Sequence, residues 1–286
     1  MLGSWWRHWQ TTRRQARLQA ALQRRAIDEA LWLSTITSLP FMADLPSFDL
    51  QRLRILASLF LDSKEFSGAH GMRVSDAQAV MVAAQACLPI LNIAPPDRPE
   101  AALAWYDSFV GIVLHEGEVR AQREWVDDHG VAHSSSEDLT GEIVEGGPLM
   151  LAWSDVQAAG ETALEAYNVV IHEFIHVMDV RDGHADACPP MPPEQRRQWL
   201  AVMRSEYERF VQDSQSWERF GSLHMGFDKP LLDAYGATSI EEFFPVAAEA
   251  YFTQRDAFVQ KHPALLAEFD MFFRAHFKSE TADTVA

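Results

Sequence analysis

Residues 172–176 read His172-Glu173-Phe174-Ile175-His176. On an α-helix, positions four apart lie one above the other on the same face. Two neutral imidazoles so placed can bind one Zn²⁺, each at about 2.0–2.1 Å. Glu173 falls off that line and flanks the position a substrate water would take, where it can accept a proton and pass it to a leaving amine. By residue frequencies such a pattern arises by chance about once per hundred chains of this length. The neighbours argue against chance here. Val169, Val170, Ile171, Phe174, Ile175 and Val177 make the segment apolar nearly all round, so the helix is expected to be buried. Two His and one Glu inside it would be costly without a metal or partners.

A catalytic zinc site needs a third protein ligand and an open fourth position. One known layout places a third His ten residues after the first, with a Gly between. Here Asp182 and Asp179 hold those positions, which argues against it. The other layout takes a Glu from a later helix, and residues 235–252 offer Glu241, Glu242 and Glu249. Spacing from the His pair cannot choose among the three. Glu242 and Glu249 are seven apart, about 10 Å along a helix axis, so both can hardly bind one ion. Asp179 lies three residues after His176. It is open between supporting a ligand imidazole by hydrogen bond and being a surface residue at a helix end.

These groups must be positioned by surrounding elements. Helical patterns are expected at 12–33, 48–62, from Ser75 and Asp76 to about Leu88, and at 162–180, 194–212, 239–255 and 263–277. Strands are expected at 109–114 and 148–153, and a loop or hairpin at 126–147. The second strand, close before the zinc helix, is expected to border the active cleft, where a substrate backbone can add to an edge.

With 286 residues, 48% of them hydrophobic, the chain can bury a sizeable core. The formal net charge is -17, which disfavours direct nucleic-acid binding. Arg7, Arg13, Arg14, Arg17, Arg24 and Arg25 make residues 1–25 +6 with no acid, so the remainder carries -23. That basic stretch reads as a solvated first helix packed on the body, or as an amphipathic arm for a partner or membrane surface. Two cysteines, Cys87 and Cys188, form no disulfide framework. With no membrane-length apolar run, no membrane span is expected, and the expected location is cytoplasmic.

Several stretches resemble the Mlc titration factor A family of bacterial zinc peptidases. They are His172 to Asp186, Ala57 to Phe66, Ala83 to Pro89, Trp105 to Val113 and Gly147 to Asp155. The resemblance covers roughly residues 40 to 275. It implies an α+β peptidase domain related to the catalytic part of anthrax lethal factor. It also implies aminopeptidase-like activity on small substrates and binding to the repressor Mlc. In that family a Tyr followed seven positions on by a Glu supplies a transition-state hydroxyl and the third ligand, and Tyr235 and Glu242 fit that spacing. Glu249 is then left to orient another group. Departures are Pro245 inside the matched helix, and Ile175, Val177 and Met178 where smaller or polar residues are expected.

The fold class expected is therefore α+β, a mostly helical zincin-type metallopeptidase domain with a small sheet beside the zinc helix. Residues 1–39 are expected to form a basic helical arm, 40–278 the metallopeptidase domain and 279–286 a disordered tail. The expected site is His172, His176 and Glu242 around one Zn²⁺ per chain, with Glu173 as base and Tyr235 as electrophilic helper. The expected partners are a peptide substrate and, through the resemblance, an Mlc-like transcriptional repressor. The alternative is a non-enzymatic, repressor-titrating protein whose zinc site is vestigial or structural. The presence of Glu173 favours the enzyme, because a structural zinc site is closed by four protein ligands and needs no base.

Overall fold

A computed structural model describes residues 2–117, 119–126, 132–139, 147–221 and 229–276, with side-chain detail for 12–117, 147–221 and 229–276. The expected disordered tail lies outside the described residues. The architecture is mostly helical, with a small parallel sheet against the helix that carries His172 and His176.

The stretch expected as one helix over 12–33 is two. Helix α1 (Leu2–Arg24) ends before α2 (Glu29–Thr37) begins. The break has a local cause. Asp28 caps α2, its carboxylate accepting from the backbone N–H of Ala30 at 2.9 Å and of Leu31 at 3.2 Å. Ile27, Trp32, Ile36 and Leu39 are buried in the main core. Helix α1 is tied to the body by ion pairs from Arg14 to Glu100 and from Arg24 to Asp62. A one-turn helix α3 (Pro40–Ala43) leads to α4 (Ser47–Ser63).

Three short strands make the sheet: β1 (Glu65–Gly68), β2 (Gly111–His115) and β5 (Leu149–Ala152), in the order β1-β2-β5 and all parallel. Strand β1 was not legible as a strand. Its alternate half-exposed pattern spans four residues, and pairing with β2 is what makes it one. Helix α5 (Asp76–Cys87) provides the crossover between them and opens on a capping box of Ser75 and Gln78. An antiparallel hairpin of β3 (Val119–Val126) and β4 (Ala132–Leu139) occupies part of the region expected as loop or hairpin. Strand β5 is one of the sheet's two edges among the described residues, β1 being the other, and it packs against α7 (Val169–Asp179).

Helix α6 (Trp153–Thr162) packs close to the end of α2, because a Cβ on Gly160 would stand 2.2 Å from the Ser38 carbonyl oxygen. Helix α7, which carries His172 and His176, starts later than expected, at Val169, because Asn168 caps it. After it come α8 (Pro193–Phe220), α9 (Ile240–Thr253), α10 (Arg255–Lys261) and α11 (Pro263–Phe273). Helix α10 fills the gap between the helices expected at 239–255 and 263–277, and α8 runs eight residues beyond its expected end. Pro245 sits inside α9 without ending it. Helix α9 packs on both α7 and α8, and stacked and edge-on aromatic contacts join Trp199, Phe244 and Phe269 across these helices. Among the described residues no helix is long and apolar enough to cross a membrane.

Candidate metal centre

Ten of the eleven residues of α7 are buried, including His172 and Glu173, as the all-round apolar pattern requires. Asn168 fixes its start. The side-chain oxygen of Asn168 accepts from the Ile171 N–H at 2.9 Å, and its amide donates to Gln85 Oε1 at 2.8 Å. Gln85 is itself fully buried on α5 and donates to the Met81 carbonyl.

Helix α9 crosses α7 and brings two carboxylates to it. Ser239 caps α9 by accepting from the Glu242 N–H at 3.3 Å, which sets Glu242 in the first turn. Glu242 Oε2 lies 3.1 Å from His172 Nε2 and 3.2 Å from His176 Nε2, and the two Nε2 atoms are 3.1 Å apart. Two turns on, Glu249 Oε1 accepts from His172 Nδ1 at 2.7 Å, and its other oxygen accepts from the Asn168 N–H. Glu249 is thus behind the imidazole and not on its metal-facing side. Glu241 does not join the cluster that could hold a metal, which is His172, His176 and Glu242 among the described residues.

This donor set fits a divalent cation. A neutral His172 that donates from Nδ1 to Glu249 must present a lone pair at Nε2. That lone pair faces a carboxylate oxygen and a second imidazole nitrogen, each at hydrogen-bond distance. Three converging lone pairs repel unless a cation or proton lies between them. Tetrahedral bonds of about 2.0–2.1 Å put ligand atoms about 3.3 Å apart, close to the spacings found. With a proton in the cation's place, burial opposes charge on His172, but the carboxylates of Glu249 and Glu242 outweigh it and carry the imidazole up to about 10. Burial also works against the charge on Glu242, yet hydrogen bonds from both imidazoles hold its carboxyl far below the usual range.

Glu173 is 3% exposed, and its Oε2 has no hydrogen-bond partner among the described residues. Burial raises its pKa, the two imidazoles oppose the rise and Glu242 adds to it. A carboxylate so held is a better proton acceptor than one in water. Tyr235 sits in a short turn capped by Asp233, whose carboxylate accepts from the Tyr235 N–H at 2.8 Å. Its ring centroid is 6.0 Å from that of His172, and it is 53% exposed. Partial burial, then the charges of Glu242 and Glu173, push the phenol up to about 12, so it stays a hydrogen-bond donor at neutral pH.

Asp179 matches neither sequence reading. It is fully buried, and its oxygens accept from the N–H groups of Cys188, at 2.7 Å, and Ala187, at 3.1 Å. It anchors the loop that follows α7, which turns through Gly183 at φ 89° and is held from the other side by Trp199 Nε1 donating to the Ala187 carbonyl at 2.7 Å. Burial lifts the Asp179 carboxyl to about 6 against the pull of those two N–H groups. The residues the sequence reading passed over are Asn168 and Gln85. An Asn immediately before an apolar run is a helix-start signal, so Asn168 was findable; Gln85 had no such signal.

A helix bearing two imidazoles and a buried carboxylate with one unpartnered oxygen among the described residues, packed on a second helix that supplies a third ligand-type oxygen, fits the metallopeptidase class. Comparison with known proteins agrees. Residues 6–274 match the family described as glucose-regulated metallo-peptidase M90, and the chain belongs to that family. It is similar to Mlc titration factor A of Salmonella arizonae, 28% identical over 245 residues that cover 85% of this chain and 90% of that protein. It is equally similar to Mlc titration factor A of Salmonella typhimurium, 28% identical over 238 residues, 83% of each chain.

Proposed function

We propose that this metallopeptidase is a zinc enzyme of aminopeptidase-like type, with His172, His176 and Glu242 as the ligands, Glu173 as the base and Tyr235 as an oxyanion donor. The observation that carries the reading is the meeting of three lone pairs at 3.1–3.2 Å with the unpartnered Glu173 oxygen beside them. Zinc held there supplies a Lewis acid that makes water a nucleophile near neutral pH. Glu249 holds the His172 ring with its Nε2 toward the site and makes that nitrogen more basic. Glu173 takes the proton from the attacking water and delivers it to the departing amine nitrogen. The Tyr235 hydroxyl donates to the oxyanion as the carbonyl carbon becomes tetrahedral. Strand β5 lies beside α7, and among the described residues it pairs on one side only, so an extended peptide can align along the other.

Turnover of amino-acid p-nitroanilides by purified protein, before and after chelation and after Zn²⁺ is returned, tests this. Loss on chelation and recovery with Zn²⁺ is expected, along with about one zinc per chain by elemental analysis. Protein isolated gently with no bound transition metal would overturn the assignment.

A second reading rests on the relatives' names. We infer that the same chain binds a transcriptional repressor of the Mlc type, a role compatible with peptidase activity. Co-elution of this protein with such a repressor, with the zinc ligands intact and with them replaced, separates the two roles.

A further inference from the structure

At the far end of α9 from Glu242 lies a cavity of about 470 Å³, within the size range of small-molecule sites. Its walls come from the start of α4, the segment after α5, the α9–α10 junction and the end of α11. Tyr251 to Thr253, on the wall, follow Glu242 by nine to eleven residues, roughly 15 Å along the helix. The cavity is therefore separate from the metal centre. Phe41, Leu45, Leu88, Phe252 and Phe273 form its apolar side, and Asp44, Asp49, Asp256, Arg255 and Arg274 bring charge to the rest of the wall.

Among the charged wall residues Asp49 stands apart. Asp49 is fully buried, and neither of its carboxylate oxygens has a hydrogen-bond partner among the described residues. Native proteins rarely leave a buried carboxylate so, because the lost hydration is costly. The nearest cation on its own helix does not satisfy it. Arg52 Nη1 donates to Asn92 Oδ1 at 3.0 Å and Nη2 to the Ala94 carbonyl. Burial raises the Asp49 carboxyl, with the charges of Arg52 and Arg274 pulling the other way. What would satisfy both oxygens is a compact group with several N–H donors and a positive charge. An ammonium has three donors and a point charge.

We propose that this cavity is a binding site for a small ligand with a primary ammonium group and an apolar body, the ammonium seated on Asp49 and the body on the Phe41–Phe273 wall. The inference does not depend on the peptidase reading, since it uses none of the metal-centre residues.

Isoamylamine tests it, with isovalerate as the counter-probe of the same body and opposite charge. Calorimetry on the full zinc-loaded chain is expected to show saturable binding of isoamylamine at one site and none of isovalerate. Asp49→Asn, which keeps the volume, should weaken isoamylamine at least tenfold. Leu45→Trp, which adds bulk to the cavity wall and leaves Asp49 in place, should weaken it similarly and covers the case where Asp49→Asn does not fold. Glu242→Ala should leave the binding unchanged, because an amine seated on the metal would be lost there. Equal binding in Asp49→Asn or in Leu45→Trp overturns the proposal. So does absence of saturable binding in the unaltered chain, loss of binding in Glu242→Ala, or a crystal soaked in isoamylamine in which ordered water bridges the Asp49 oxygens.

Discussion

The first and third turns of α9 each present a glutamate to His172, and the two regions treat it differently. Around Glu242 the side chain is 24% exposed, and among the described residues its oxygen meets two imidazole nitrogens and no backbone donor. Around Glu249 the side chain is 1% exposed, and one oxygen takes an imidazole N–H while the other takes a backbone N–H. Glu249 has spent both oxygens on donors, whereas Glu242 retains lone pairs directed at a point that solvent and substrate can reach. Carboxylates on one helix face thus divide into a ligand type and an orienting type according to which donors the fold has already supplied. A third buried carboxylate, Asp179, belongs to the second type but serves the backbone of a loop.

The sharpest way to break this division is at Glu173, which belongs to neither type. Glu173→Gln should cost roughly 10²–10⁴-fold in turnover, the usual contribution of a positioned base, while the zinc content stays at the original level. Wild-type turnover in that variant would end the base assignment, and loss of zinc would turn Glu173 into a ligand or folding residue. Next comes the pair itself. Glu242→Ala removes a ligand and should release zinc on dialysis, whereas Glu249→Ala should weaken affinity by about 10–100-fold, the scale for groups that orient a ligand. Competition with a zinc-sensitive chelating dye measures both, and the reverse order would move the ligand to Glu249. A smaller effect is expected at Tyr235, since it is half exposed. Tyr235→Phe should lower kcat by about tenfold, under the 10²–10³-fold loss of a buried oxyanion donor, with zinc retained. An unchanged kcat would remove it from the chemistry. The smallest functional effect is at Asp179. Asp179→Ala strands two buried N–H groups and should cost about 1–3 kcal/mol of stability, read as a lower Tm by calorimetry. Zinc stoichiometry should hold, and its loss would mean that Asp179 supports the metal after all.

The sequence alone set out the chemistry proposed for the site, because metal-ligand chemistry is local where one helix carries it. His172, Glu173 and His176 take their relation from the helical period, and the apolar run around them dictates that the helix is buried. The main helices and the strands β2 and β5 followed from periodicity, while the break at Asp28 and the short β1 and α10 did not, because caps and strand pairing set them. Spacing left the three glutamates open and the resemblance pointed to Glu242, but the tertiary structure decides which glutamate meets the imidazoles. Glu241, Glu242 and Glu249 all lie more than sixty residues from His176 in the chain, and the crossing of α9 over α7 fixes their distances. The same holds for Asn168 and Gln85, joined across 83 residues, and for Asp179, whose partners lie in a loop folded back by Gly183. Periodicity tells which face a residue is on, but whether a buried carboxylate finds an N–H, an imidazole or nothing depends on what packs against that face.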